Sequence, residues 1–144
     1  MRLLERSFDI ERINGLVNNP VIRPHIGGDG ESFIDLSDAV DDRGNWFLIG
    51  EHGGFSCCWT GPGVFEVHTF IETSGRGAWA KRAAIEGSLM MREAGAWMLW
   101  TRVQPDAENV RLFTLAAGMK PEGQHTLMGV TYDIFARRFP CQQQ

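Results

Sequence analysis

The sequence predicts a single α/β domain, and three observations carry that expectation. Between Trp46 and Ile71 three strand-like runs are separated by tight glycine-rich turns, which reads as an antiparallel meander. Behind the meander comes a helix whose polar and apolar residues separate cleanly at about 100° per residue. A nearly all-apolar run over residues 97–103 follows, of the kind that a sheet buries on both faces. The 144 residues fit one domain and suffice for a substantial core.

Residues 3–7 open the chain as a strand. Asp9 suits the N-cap of a short helix with Ile10, Ile13, Leu16 and Val17 on one side, stopped by Asn18-Asn19-Pro20. From Val21 to Asn45 the signal is weak, and Pro24, Gly27-Gly28, Gly30 and Gly44 punctuate a long irregular stretch of the sort that makes substrate contacts. The meander strands are residues 46–51, 55–59 and 64–71, turning at His52-Gly53-Gly54 and at Gly61-Pro62-Gly63. In the main helix Lys81, Arg82, Glu86, Arg92 and Glu93 share one sector. Trp79, Ala80, Ala83, Ala84, Gly87, Met90, Met91 and Ala94 share the opposite one, and Gly95 is a fitting stop. Ile85 and Leu89 sit inside the polar sector, to be covered by neighbouring loops or by a second subunit. A further helix starts from Asp106 as N-cap, with Val110, Phe113 and Ala117 facing inward, and Gly118 ends it. Residues 126–135 read as the last strand and residues 137–144 as a frayed tail.

Composition removes several classes of function. A formal net charge of −4 argues against broad binding to nucleic acid or to an anionic membrane, both of which need a basic surface. No apolar run approaches the roughly 20 residues of a membrane span, and the first residues lack the apolar centre of a signal peptide. Cys57 and Cys58 are adjacent, so on a strand they face opposite ways and are poor disulfide partners; Cys141 stands apart. The four histidines are scattered, without the spacing of a metal site. The expectation is a reduced, intracellular protein without a bound metal, its cysteines structural.

The junction between the third meander strand and the main helix holds Gly75-Arg76-Gly77. A glycine-bracketed arginine there directs free backbone N–H groups and the positive end of a helix dipole at one spot, which suits a phosphate or pyrophosphate. The plain alternative is a turn before a helix. On the preceding strand Glu66 and His68 are two apart and share one face, which makes them candidates for proton transfer as well as for ordinary structural duty.

The element order together with Ile71-Glu72-Thr73-Ser74-Gly75-Arg76-Gly77-Ala78-Trp79-Ala80-Lys81 resembles the GNAT superfamily of N-acetyltransferases, whose hallmark loop runs Val-x-Pro-x-x-Arg-Gly-x-Gly-x-Gly/Ala. Arg76-Gly77 falls in register; Thr73 replaces the proline, and Trp79 stands where a glycine is usual. Asn109 through Gly118-Met119 is similar to the superfamily's Asn…Gly-Phe ending of the next helix. Over most of the chain the likeness is strongest to small GNAT-like proteins encoded by bacteriophages. It is carried there by Asn19-Pro20-Val21-Ile22-Arg23-Pro24, by Pro62 to Thr69, and by Thr101-Arg102-Val103.

That resemblance implies a mixed, mostly antiparallel central sheet of about six to seven strands flanked by helices, with strands four and five splayed. It implies an acetyl-CoA or other acyl-CoA co-substrate in the gap. Ile71 and Thr73 would pair with the pantetheine arm, Gly77, Ala78, Trp79, Ala80 and Lys81 would give N–H groups to the pyrophosphate, Arg76 would add charge, and Asn109 would contribute from the next helix. The acceptor would be a primary amine of a small molecule or protein, with Glu66 or His68 as base. The tyrosine that the superfamily uses as acid has no counterpart near Phe113 and Thr114, since the chain's single tyrosine is Tyr132. The alternative is a catalytically weak or inactive phage protein acting in particle assembly or host-protein interaction. Apart from the resemblance, the lack of a signal-peptide pattern gives a cytoplasmic location, that of the host if the chain is phage-encoded, and the Ile85 and Leu89 pair leaves a homodimer open.

Overall fold

Alternating and helical periodicities sort the chain into β1 (Leu4–Arg6), α1 (Ile10–Val17), α2 (Ser37–Asp41), β2 (Trp46–Gly50), β3 (Gly53–Gly61), β4 (Val64–Ile71), α3 (Ala78–Glu93), β5 (Met98–Val103), α4 (Glu108–Ala116), β6 (Lys120–Leu127) and β7 (Val130–Arg138). This computed structural model describes residues 2–140. The strands form one seven-stranded sheet in the order β1-β2-β3-β4-β5-β7-β6. Every neighbouring pair is antiparallel except β4 and β5, which run parallel. The mixed, mostly antiparallel sheet of the expected fold class is therefore present, and its one parallel pair is β4 and β5.

Alternation along the strands divides the core in two. Phe47 and Ile49 face one side of the sheet and pack with Ile13, Leu16, Val17 and Phe70 under α1; Leu48 faces the other and packs with Phe55, Phe65 and α3. On α3 the buried face is Ala80, Ala83, Ala84, Gly87, Ser88 and Met91, small enough to bring the helix close to the sheet. Glu86, on its polar side, accepts N–H bonds from Leu3 and Leu4 and so covers the sheet's free edge. Asp9 caps α1 as its residue type suggests, accepting from the Arg12 N–H at 3.1 Å. Gly95 follows the last turn of α3 with φ of 104°. Ile85 and Leu89 are 41% and 42% exposed, so no loop among the described residues covers them.

Several expectations need correction. The β2–β3 turn is Glu51-His52, because Gly50 already pairs with Gly53. Gly53 (φ 110°) and Gly54 lie within β3, where a Cβ on Gly53 would meet the Phe70 carbonyl oxygen at 2.0 Å. On β5 only Leu99 and Val103 are buried, and Trp97 precedes the strand with 39% exposure. Met98, Trp100 and Arg102, which alternate with Leu99 and Val103, are only partly buried, so one face of β5 is incompletely covered. The α4 N-cap is Ala107, without a side-chain cap, rather than Asp106. Val110 is correspondingly exposed at the helix start, while Thr114 and Ala117 are buried and Phe113 is half-buried.

The run read as a last strand straddles a hairpin: β6 and β7 join at Met128-Gly129, with φ of 51° and 81°. Methionine at a left-handed position lacks the Asn-Gly or Asp-Gly signature by which such turns are recognised. The chain beyond residue 136 is likewise not frayed up to Pro140. Arg137 and Arg138 pair with β5, and Phe139 is buried with its N–H bonded to the Trp97 carbonyl. Residues 141–144, with Cys141, lie outside the described residues.

Candidate functional site

The parallel junction creates the site. β4 and β5 pair at only three positions, Val64 with Met98, Phe65 with Leu99 and Glu66 with Trp100. Beyond them the strands separate. The Thr101 hydroxyl donates to the Val67 carbonyl at 2.9 Å, a side-chain rung where the backbone ladder stops. The opening is a cleft of about 770 Å³ that passes through the sheet. On one face its wall is α3 and α4, through residues such as Ala80, Ala84, Asn109 and Phe113; on the other it is the segment after α1, through Val21, Ile22, His25 and Ile26.

At the first end the backbone does the work. Gly77 is the N-cap of α3 with φ 97° and ψ −129°, a conformation that suits glycine. An added Cβ there would meet nothing within 4 Å, so the space before the helix is open. No side chain among the described residues caps α3. Among the described residues the N–H groups of Gly77, Ala78, Trp79 and Ala80 meet no acceptor, the first intrahelical bond being Lys81 N–H to the Gly77 carbonyl. Arg76 lines the cleft beside them and forms no ion pair with the described residues. Unpaired N–H groups, a helix N-terminus and a free guanidinium together make an anion-binding corner.

The corner is held from outside by the β2–β3 turn. The Glu72 N–H donates to the His52 carbonyl, and His52 Nδ1 lies 2.8 Å from Ser74 Oγ. Gly75 is pressed onto the same residue, where a Cβ would meet His52 Cβ at 2.4 Å. The Trp79 indole packs edge-on against the His52 ring, centroids 5.0 Å apart at 84°. It therefore turns towards the β2–β3 turn and is absent from the cleft wall. Arg12 completes the brace through the Gly50 and Glu51 carbonyls and Glu72.

At the second end side chains do the work. Glu66, with a side chain only 12% exposed, lies 3.3 Å from Arg102 Nη1 and 3.7 Å from His68 Nε2. Burial alone would raise its pKa, but contact with His68 and the charge of Arg102 outweigh burial and hold it below its ordinary value. Glu66 is thus an ionised strut behind the wall, whereas His68 and Arg102 are on the wall itself. Two features of this end were not singled out from the sequence. In the sequence Arg102 belongs to the Thr101-Arg102-Val103 likeness alone, although an arginine inside an apolar strand is itself a signal. His25 is brought to the cleft by a loop wound around buried Arg23, whose guanidinium donates to the Gly27 and Ser32 carbonyls and pairs with Asp29.

Of the residues proposed for the co-substrate, Ile71, Arg76, Gly77, Ala80 and Asn109 line the cleft. Thr73, Ala78, Trp79 and Lys81 stand beside it, within the loop and first turn of α3. Cys57 also lines the cleft, but complete burial and the neighbouring Cys58 push its thiol far up, which removes it as a nucleophile at neutral pH. Among the described residues no three His, Cys, Asp or Glu side chains group as metal ligands, and no helix is long and apolar enough to cross a membrane.

No known family pattern and no curated protein sequence matches the chain. Solved structures do match its shape. A ribosomal-protein-alanine N-acetyltransferase from Brucella melitensis superposes with a TM-score of 0.72 at 14% identity, over 95% of this chain and 99% of the other. An aminoglycoside acetyltransferase in complex with coenzyme A and kanamycin gives 0.69 at 13% identity, over 94% of each chain. A GNAT-family acetyltransferase from Bacillus anthracis gives 0.59 at 15%, over 94% of this chain and 96% of that one. With its parted parallel strands and open helix N-terminus in the middle of the sheet, the chain has the fold of the GNAT acetyltransferases.

Proposed function

We propose that this chain is an acyl-CoA-dependent N-acyltransferase that passes an acetyl group directly from acetyl-CoA to a primary amine. One observation carries the reading: the unpartnered N–H groups of Gly77 to Ala80 and the parted edges of β4 and β5 open onto the same cleft. The first suits the pyrophosphate, and the second leaves backbone free to pair with an extended pantetheine arm as a strand pairs with an edge. Bound acetyl-CoA supplies a thioester carbonyl to the amine. Solved GNAT-fold acetyltransferases in complex with coenzyme A or acetyl-CoA support that choice of co-substrate.

An ammonium group has no lone pair to attack with, so a base must first take its proton. His68 is that base: its imidazole reaches the cleft, and a histidine can accept a proton near neutral pH. Glu66, paired with Arg102 and held ionised, is a poor base itself, but it stabilises the imidazolium that His68 becomes. No tyrosine stands on the wall, and the Thr114 hydroxyl is committed to the Val110 carbonyl at 2.7 Å. Return of the proton to the departing thiolate therefore falls to His68 or to water. In the same reading the enzyme works in the cytoplasm, that of a host if the phage likeness holds, and pairs with a second copy through exposed Ile85 and Leu89.

Calorimetry of the purified chain with acetyl-CoA tests the proposal and should give saturable heat that Arg76→Glu weakens. Release of free thiol with a panel of primary amines should follow. No heat at millimolar acetyl-CoA would favour the rival role, a GNAT-shaped protein of particle assembly or host interaction.

A further inference from the structure

The acyltransferase reading leaves the acceptor open, but the second end of the cleft narrows its chemistry. No Asp or Glu is on the cleft wall among the described residues, although the chain as a whole is acidic. Glu66, which touches residues of that end, is already committed to Arg102 and His68, and Asp29 of the neighbouring loop to Arg23 and Ser32. The groups that do face the opening are His25, His68 and Arg102, which carry neutral or positive charge only. A polycation such as an aminoglycoside or polyamine would bring further ammonium groups to a wall with no countercharge for them.

Arg102 points to the opposite kind of ligand. Its guanidinium carries several N–H donors, of which the Glu66 contact engages Nη1. Its Nε is buried and has no hydrogen-bond partner among the described residues. A buried donor without an acceptor is unfavourable, and a planar guanidinium is shaped to take a carboxylate through two parallel bonds. The side chain is 31% exposed at the cleft, so a modest turn about its terminal torsions offers the under-used edge to an incoming carboxylate. The same cleft is also lined by apolar Val21, Ile22 and Ile26 from the segment after α1.

Resting on the acyltransferase reading, we propose that the acceptor is a small, apolar primary amine that itself carries a carboxylate, of amino-acid type. Arg102 takes the carboxylate, Val21, Ile22 and Ile26 take the apolar body, and the ammonium is left to His68. Net charge balances in this arrangement: Arg102 is shared between Glu66 and the acceptor carboxylate, and the ammonium proton goes to the imidazole.

The experiment compares amines in matched pairs, phenylalanine with phenethylamine and leucine with 3-methylbutylamine, beside kanamycin and spermidine. Thiol release is read with saturating acetyl-CoA and the full chain. The carboxylate-bearing member of each pair should have kcat/KM at least about tenfold higher, and both polycations should fall below either member. Arg102→Gln should lower kcat/KM for the carboxylate-bearing member of each pair at least about fivefold more than for its decarboxylated partner, the excess falling on KM, and Arg102→Lys should keep part of the preference. Acetyl-CoA calorimetry on each variant reports whether the fold and the first end survive. Preference for the decarboxylated amines or the polycations, equal loss on both members of a pair, or turnover of none of them would overturn the acceptor assignment. Absence of heat with acetyl-CoA in the unaltered chain would instead remove the acyltransferase reading, and the acceptor with it.

Discussion

The two ends of the cleft are built from different materials. At the first, the groups left without partners are backbone amides at the start of α3, and the side chains nearby, His52, Ser74 and Trp79, act on the outside to fix the loop. At the second, Glu66, His68, Arg102 and His25 are side chains brought together from β4, β5 and a loop. A backbone site tolerates change in residue identity as long as conformation and access survive. A side-chain site does not. Trp79 in place of a motif glycine illustrates the first rule: its indole leaves the corner and becomes part of the brace.

This contrast is breakable. The largest effect is expected at the side-chain end: His68→Ala should lower kcat for thiol release by about 10²–10⁴-fold while leaving the acetyl-CoA Kd unchanged in calorimetry. Next is conformation at the backbone end. Gly77→Val places a branched residue at φ 97° and should weaken acetyl-CoA binding by about 10–100-fold and cost about 1–3 kcal/mol in denaturant unfolding. Arg76→Glu should weaken binding by about tenfold, less at high salt, since only its charge contributes. An equal loss of binding in His68→Ala and Gly77→Val would abolish the distinction between the ends.

The smallest effects come from the supports. His52→Ala removes the Ser74 bond and the Trp79 contact, and should cost about 1–2 kcal/mol of stability with a change of a few-fold in acetyl-CoA Kd. Glu66 adds a pH dependence of definite sign. Its folded-state pKa lies below the unfolded one, so its contribution is complete above about pH 4 to 5 and is lost as pH falls towards the lower folded value. Unfolding followed from pH 7 to pH 3 should show a smaller acid-induced loss in Glu66→Gln than in the unaltered chain.

What the sequence disclosed follows the same division. The main helix, the meander and Arg76-Gly77 were legible because periodicity and glycine placement are local signals. The β6–β7 turn was not, since Met128 takes a left-handed conformation that only tertiary pairing of the two strands imposes. Glu66 and His68 could be placed on one face by counting along β4. Their partner Arg102 could not be assigned to them, because the contact crosses the parallel junction between strands far apart in sequence. Nor could Val110, which fits the helix period yet faces the cleft instead of the core.

A sheet whose central ladder stops after Glu66 carries its own clock. Amides of residues 67–71 that point away from β3 have no neighbouring strand across the gap, so in deuterated water they should label much sooner than those of β2 and β3. A molecule seated between the two strands would slow that labelling in one short stretch, which lets occupancy be followed without any assay of turnover.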